Sequence, residues 1–180
     1  CPVYPGHQRQ GIRIGNLAVI LPSRKVGDFI WTWVSDCLIT NKVLLLFREA
    51  GLTGFTVNPA MVKLKTQRNK KLIEPPTLWE LVVTGKGGDA DPISGIRLIY
   101  TCPHCGMKKY SSFRNGIIVD ERVWDGSDFF TVTGYQFILV TERVKELVTR
   151  NALTNCVLIR SQDLEWKSLS RPEDLYGKQG

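Results

Sequence analysis

Residues 36–55 read Asp36-Cys-Leu-Ile-Thr40-Asn-Lys-Val-Leu-Leu-Leu-Phe-Arg-Glu-Ala50-Gly-Leu-Thr-Gly-Phe55. Thr40 is a helix-capping residue placed just before a run with apolar side chains at Val43, Leu44, Phe47 and Ala50, and Gly51 follows as a stop signal. The spacing predicts a ten-residue helix over 41–50 with one apolar face. Asp36–Ile39 before it and Thr53–Val57 after it read as strands, the second ended by Pro59. The same order returns further along. Gln136-Phe-Ile-Leu-Val140 reads as a strand, Thr141 as a cap, Glu142–Asn151 as a helix and Leu153-Thr-Asn-Cys-Val-Leu-Ile159 as a strand. Thr40-Asn-Lys-Val43 aligns with Thr141-Glu-Arg-Val144, and Gly51-Leu-Thr-Gly-Phe55 with Ala152-Leu-Thr-Asn-Cys156, always 101 residues apart.

This duplication sets the fold class: α+β, mixed sheet or sheets with two short helices from a repeated strand-helix-strand unit. A ten-residue helix is about 15 Å long and needs a sheet for its apolar face. So short a crossover favours parallel, right-handed neighbours. Val43, Leu44 and Phe47, and Val144, Leu147 and Val148, are the expected core. Further strands are expected at Ile12–Leu21 and Asp28–Trp33, and in the middle of the chain at Leu78–Thr84, Ile96–Thr101, Lys108–Phe113 and Ile117–Val119. The chain reads as a single domain, residues 1–180. Repeat units at about 28–64 and 130–166 flank a strand-rich middle, 76–120. Two small sheets or one mixed sheet both fit.

Composition narrows the function classes. With 43% apolar and 9% aromatic residues in 180, the chain is not intrinsically disordered. The longest apolar runs, Leu17–Leu21 and Val43–Phe47, are far short of the ~20 residues a spanning helix needs, so no membrane partner is expected. Cys1–His7 has no basic-then-apolar leader order, and a cytoplasmic location is expected. The absence of an initial Met leads us to expect a further N-terminal piece. The net charge of +7 is unevenly placed: residues 1–71 carry 11 basic and 3 acidic side chains. Lys63, Lys65, Arg68, Lys70 and Lys71 form a run that attracts phosphates or an acidic protein surface, with a solvated loop as the plainer reading. The run lacks interleaved aromatics and any helix-turn-helix or RNA-binding signature. Asp120, Glu121, Asp125 and Asp128 surround Trp124. They read either as a solvated loop or as a recognition loop with an aromatic anchor. Gly85-Lys-Gly-Gly-Asp-Ala-Asp-Pro92 lacks the spacing of a phosphate loop. With His7 and His104 the only histidines and no nucleophile or zinc-hydrolase motif, nothing marks a catalytic centre, and the chain is read as a non-enzyme.

The five cysteines divide into two kinds. Cys37 and Cys156 sit in apolar runs and read as buried thiols. Cys102-Pro-His-Cys105-Gly106 lies between two predicted strands, and its C-x-x-C spacing with a following Gly makes a zinc-knuckle-like hairpin. One such knuckle supplies half of a tetrahedral site. Cys1-Pro-Val-Tyr4 reads as a second motif with Tyr in the last position, and His7 can give a nitrogen. A site of Cys1, His7, Cys102 and Cys105 holding structural zinc is therefore expected from ligand type, beside a degenerate site in which Cys102 and Cys105 are free.

These features resemble the double C-x-x-C-G motif family of bacterial immunity proteins for polymorphic, contact-dependent toxins. Such chains carry one C-P-x-C-G near the start, a second later, and a terminal strand-helix-strand entered by a Phe-x-Val-Thr-Glu-like segment. Here Cys102-Pro-His-Cys105-Gly106 matches the second motif. Phe137-Ile-Leu-Val-Thr-Glu142 through Leu153-Thr-Asn-Cys156 to Asp163-Leu-Glu-Trp166 matches the ending. The first motif departs at Tyr4, and Pro5 precedes Gly6. The resemblance implies a non-enzymatic inhibitor that binds a cognate toxin protein. Two other readings stay open: a zinc-ribbon-like nucleic-acid binder using Lys63–Lys71 with Lys108 and Lys109, and a metal-dependent or redox enzyme.

Overall fold

The computed structural model describes residues 1–5, 7, 15–33, 35–65, 74–113, 115–135 and 137–165. In the first half, β1 (Ala18–Leu21), β2 (Phe29–Trp31) and β3 (Cys37–Thr40) lead into helix α1 (Asn41–Glu49), followed by β4 (Phe55–Pro59) and β5 (Met61–Leu64). The middle holds β6 (Leu78–Val83), β7 (Gly85–Lys86), β8 (Leu98–Thr101) and β9 (Lys108–Tyr110). The second unit holds β10 (Phe129–Thr131), β11 (Leu139–Val140) and helix α2 (Glu142–Arg150). The α+β class with mixed sheets and two short helices is thus observed. Ile12–Ile14 lie outside the described residues. Ile117–Val119 forms no strand, only an isolated bridge from Val119 to Ala90.

Local chemistry sets both helices. Thr40 accepts a hydrogen bond from Val43 N–H, 3.5 Å, at the start of α1. At its end, Gly51 N–H donates to Arg48 O and Leu52 N–H to Phe47 O, each 3.0 Å, with Gly51 at φ +62°. This is a Schellman closure. Helix α2 ends identically: Ala152 N–H donates to Thr149 O and Leu153 N–H to Val148 O, but here Ala152 occupies the left-handed position, φ +46°. Leu52 and Leu153 are buried after the two turns. Val43, Leu44, Phe47, Val144 and Val148 are buried as expected, while Leu147 is only partly covered.

The crossover expectation needs a correction. β3 and β4 run parallel, yet they are not neighbours: the first sheet has the order β2-β3-β6-β4, with β6 between them and antiparallel to both. The middle segment contributes the apolar strand Leu78–Val83, and this completes the unit. The chain then continues as β7, which pairs in parallel with β10 in a second sheet of order β11-β10-β7. β1 and β5 form a separate parallel pair, and β8 and β9 an antiparallel hairpin.

The two units share one core. Phe47 is fully buried, with ring centroids 6.2 Å from Phe29, 5.8 Å from Phe55 and 5.1 Å from Phe129. Val144, Val148 and Leu153 of the second unit join the same cluster. A reciprocal pair of polar clasps frames it. The Asp128 carboxylate accepts from Thr53 N–H (2.9 Å) and Thr53 Oγ1 (3.2 Å) across the unit boundary. The Asp28 carboxylate accepts from Thr154 N–H (2.8 Å) and Thr154 Oγ1 (2.9 Å) in the opposite direction. The N–H of each Asp donates back to the threonine hydroxyl. The next residue, Phe129 or Phe29, donates its N–H to that threonine's carbonyl at 3.0 or 3.2 Å. Arg143 and Lys42, alike in the first turn of their helices, meet Asp128 and Asp28 at 2.9 and 3.4 Å. Such mutual exchange is the contact pattern of two halves about an approximate two-fold axis.

Burial pushes the Asp128 carboxyl up. Hydrogen bonds from Thr141 and Thr53 and the Arg143 charge outweigh it and hold the group below its ordinary 3.8. A carboxyl depressed by folding stabilises the fold fully above its unfolded value, and this contribution is lost as pH falls through the lower folded value. Asp128→Asn should therefore cost about 1.5–3 kcal/mol at pH 7, and its urea midpoint should converge on that of the wild type as pH drops below 3.8. A gap that persists undiminished at low pH would contradict this account. Ala152→Gly should relieve the left-handed alanine and raise the urea midpoint by an equivalent of up to about 1 kcal/mol. A lowered midpoint would show that the alanine is unstrained.

Candidate metal centre

β8 and β9 bracket the Cys102–Met107 turn. Cys102 N–H donates to Met107 O and Gly106 N–H to Cys102 O, both 2.8 Å, with Gly106 at the positive φ (+67°) that a knuckle requires. The start of the chain lies against this turn. Cys1 Sγ is 4.0 Å from Cys102 Sγ. Tyr4 N–H donates to Cys1 Sγ at 3.4 Å, and His7 N–H donates to Tyr4 O at 2.9 Å, which folds the segment back so that His7 is buried. One ligand atom from each of Cys1, His7, Cys102 and Cys105 lies within 4.8 Å of every other. The four residues read from the sequence as ligands are therefore together, and the cluster can hold a metal ion.

Three observations test that fit. A tetrahedral ion with metal–sulfur bonds of about 2.3 Å places two thiolates about 3.8 Å apart, close to the 4.0 Å of Cys1 and Cys102. His7 Nδ1 is buried without a hydrogen-bond partner, a condition that costs free energy unless something binds it. Burial pushes the Cys102 thiol up, but N–H donors of His104 and Cys105 and the side chains of His7 and Cys105 outweigh it and bring it down to about 6. A thiolate at neutral pH is the form that ligates metal. Cys37, by contrast, is pushed up to about 12 by burial, with the neighbouring Cys156 adding to the effect. Burial likewise raises Cys156. Both are free thiols; Cys37 is buried as the sequence implied, whereas Cys156 is only partly buried.

Tyr4 holds the position in the first turn that Cys105 holds in the second. Its N–H serves Cys1 as the N–H of Cys105 serves Cys102. The first turn keeps this backbone contact, and His7 places a side-chain nitrogen in the same cluster. Cys1 and Cys102 stand 101 residues apart, as do Tyr4 and Cys105. The knuckles thus belong to the same duplication as the helices. The common offset was present in the sequence, although the repeat units were read as beginning only at 28 and 130.

The other residues singled out are dispersed. Asp120 pairs with Arg122 through both oxygens, 2.9 and 2.8 Å. Asp125 accepts from Lys86 N–H at 2.7 Å and Ser127 N–H at 3.0 Å. Glu121 is exposed. Trp124 is half-buried, 5.3 Å from Phe130, with Nε1 buried and unpartnered. Asp128 faces inward and serves the clasp, so it is not part of an exposed recognition loop. Lys63 and Lys65 are exposed at β5 and just beyond it, while Arg68, Lys70 and Lys71 lie outside the described residues. Among the described residues no helix is long and apolar enough to cross a membrane.

No family model matches the chain, and no curated protein shows significant similarity to it.

If Cys1, His7, Cys102 and Cys105 form one site, each purified chain should carry one equivalent of metal by inductively coupled plasma mass spectrometry. Cys102→Ser and His7→Ala should each lose most of it. Metal retained at full stoichiometry in Cys102→Ser would place it elsewhere.

Proposed function

We propose that the chain is a non-enzymatic immunity protein that binds and neutralises a cognate bacterial toxin, and that its four-ligand site holds structural zinc. The observation that carries this reading is the meeting of the two knuckles. The family it resembles has two C-P-x-C-G motifs far apart in sequence, and here their counterparts, Cys1 and Cys102–Cys105, converge on one cluster completed by His7. Three sulfurs and one nitrogen suit zinc, which accepts a tetrahedral Cys₃His set. Such an ion would tie the start of the chain to the β8–β9 hairpin and add its binding free energy to folding. The role proposed for it is structural: a closed set of four protein ligands leaves no position for a water or substrate.

The charge shapes the expected partner. A chain of net charge +7 is steered towards acidic surfaces. Nuclease toxins tend to be basic, so the proposal favours a non-nuclease target, or contact through the acidic stretch at Asp120, Glu121 and Asp125 beside Trp124.

The test is co-expression with the toxin domain encoded beside this chain. Growth should be restored and a 1:1 complex should elute on size exclusion, with the toxin chemically unaltered by intact mass. Lack of rescue, or rescue accompanied by covalent change or cleavage of the toxin, would overturn the reading. A strongly basic nuclease captured through the Lys63–Lys71 run would overturn the charge argument alone.

A further inference from the structure

The three sulfurs of the cluster differ in access. Cys1 is exposed, Cys105 is partly covered and Cys102 is buried. They differ in partners as well. In a complete C-x-x-C turn, the first thiol has the second as its neighbour within the same turn. The first turn lacks that thiol, because Tyr4 stands in its place. The sulfur neighbours of Cys1 in the cluster therefore both come from the second turn. One of them, Cys102, lies 101 residues along the chain with its Sγ 4.0 Å from that of Cys1. A metal-ligating cysteine is already deprotonated, and exposed thiolates are the sulfurs that oxidise first.

We infer that Cys1 is a site of oxidative modification: hydrogen peroxide attacks its sulfur, Cys102 resolves the product, and a Cys1–Cys102 disulfide replaces the metal in holding the chain start on the β8–β9 turn. The proposal rests on the zinc reading of the cluster, although not on the partner's being a toxin. In the first step the Cys1 thiolate attacks one peroxide oxygen. The O–O bond breaks, an S–O bond forms, hydroxide leaves, and Cys1 becomes a sulfenic acid, oxidised by two electrons. In the second step the Cys102 thiolate attacks the Cys1 sulfur. The S–S bond forms, the S–O bond breaks, and a second hydroxide leaves. Two thiolates and one peroxide thus give one disulfide and two hydroxides, which take protons from solvent. The sulfurs close from 4.0 Å to the ~2.05 Å of a disulfide. Cys1 and Cys102 lose the negative charge that ligates zinc, so the ion is released. The new bond joins the same two segments that the ion joined. A disulfide within the second turn, Cys102 to Cys105, would free the chain start instead.

The test uses the full zinc-loaded chain, treated with hydrogen peroxide and then alkylated with iodoacetamide. Trypsin should yield the peptide Cys1–Arg9 joined to Leu98–Lys108, separable by reductant, and tandem fragmentation should place the bond on Cys102. Cys105→Ser should still give the joined peptides. A chromogenic chelator should register one equivalent of zinc for each cross-link, with the same time course. Hydrogen exchange across residues 1–9 should speed up when the reduced chain is stripped of zinc by chelator, and stay slow in the oxidised chain. A bond confined to Leu98–Lys108, a bond from Cys1 to Cys105, or sulfinic acid at Cys1 without any cross-link would overturn the proposal. So would zinc retained after cross-linking, or fast exchange of residues 1–9 in the oxidised chain. The two readings fail separately: a reduced chain that carries no zinc rejects the metal reading itself, whereas a zinc-loaded chain that forms no Cys1–Cys102 bond rejects the oxidative exchange alone.

Discussion

The architecture depends on the reciprocal Asp–Thr clasp. A strand-helix-strand unit of this size cannot bury both faces of its sheet and its helix alone, so each unit must find a partner, and here the partner is the other copy. Apolar contact between two such units is non-directional. Phe29, Phe47, Phe55 and Phe129 would tolerate several relative orientations. Asp28 and Asp128 remove that freedom. Each carboxylate takes the N–H and the hydroxyl of one particular threonine in the opposite unit, and the backbone of the following Phe is fixed to the same residue. A charged acceptor with few permitted partners costs more when misplaced than a hydrophobic contact does. The clasps thus set the register within which the aromatic cluster packs.

The Cys1–His7–Cys102–Cys105 cluster applies the same arrangement at a second point. Cys1 and Cys102 hold equivalent positions in the two copies, and their sulfurs meet at 4.0 Å. The clasps bind unit to unit through the helices' flanks, whereas the cluster binds the chain start to the β8–β9 hairpin. The two devices respond to different conditions. Asp128 loses its effect only in acid, below the ordinary carboxylate range. A thiolate cluster responds to oxidants, and to chelators when it holds a metal. The two copies thus meet at two chemically different points.

Much of this was legible where the deciding chemistry is local. Thr40, Thr141 and Gly51 announce helix ends, and the apolar spacing of Val43, Leu44 and Phe47 announces the buried face. Cys102-Pro-His-Cys105-Gly106 announces a knuckle, and His7 was found by ligand type. What failed is non-local. The strand inserted between β3 and β4 comes from residues 78–83, so the expectation of adjacent parallel strands could not hold. Asp28 and Thr154 are 126 residues apart, and the aspartates are spaced by 100 residues where their partners are spaced by 101, which hides them from a fixed-offset comparison. Asp128 was grouped with Asp120, Glu121 and Asp125 because charge clustering carries no information about direction, and only the fold shows that one of the four points inward.

The same comparison of copies explains why 156–160 departs from its predicted strand. Leu153–Ile159 has the composition of a strand, and its counterpart Phe55–Pro59 forms one. A strand, however, is stabilised by its neighbours and not by its own residues. Phe55–Pro59 pairs along its length with β6, while 156–160 faces an open cavity. The second copy therefore keeps the side chains of a buried strand without the ladder that would order it. Leaving Val157 and Ile159 exposed costs the hydrophobic free energy of burying them, roughly 1.5–3 kcal/mol for each large aliphatic side chain. The chain retains apolar residues there, where its own first copy has Thr56 and Asn58, and leaves them exposed among the described residues.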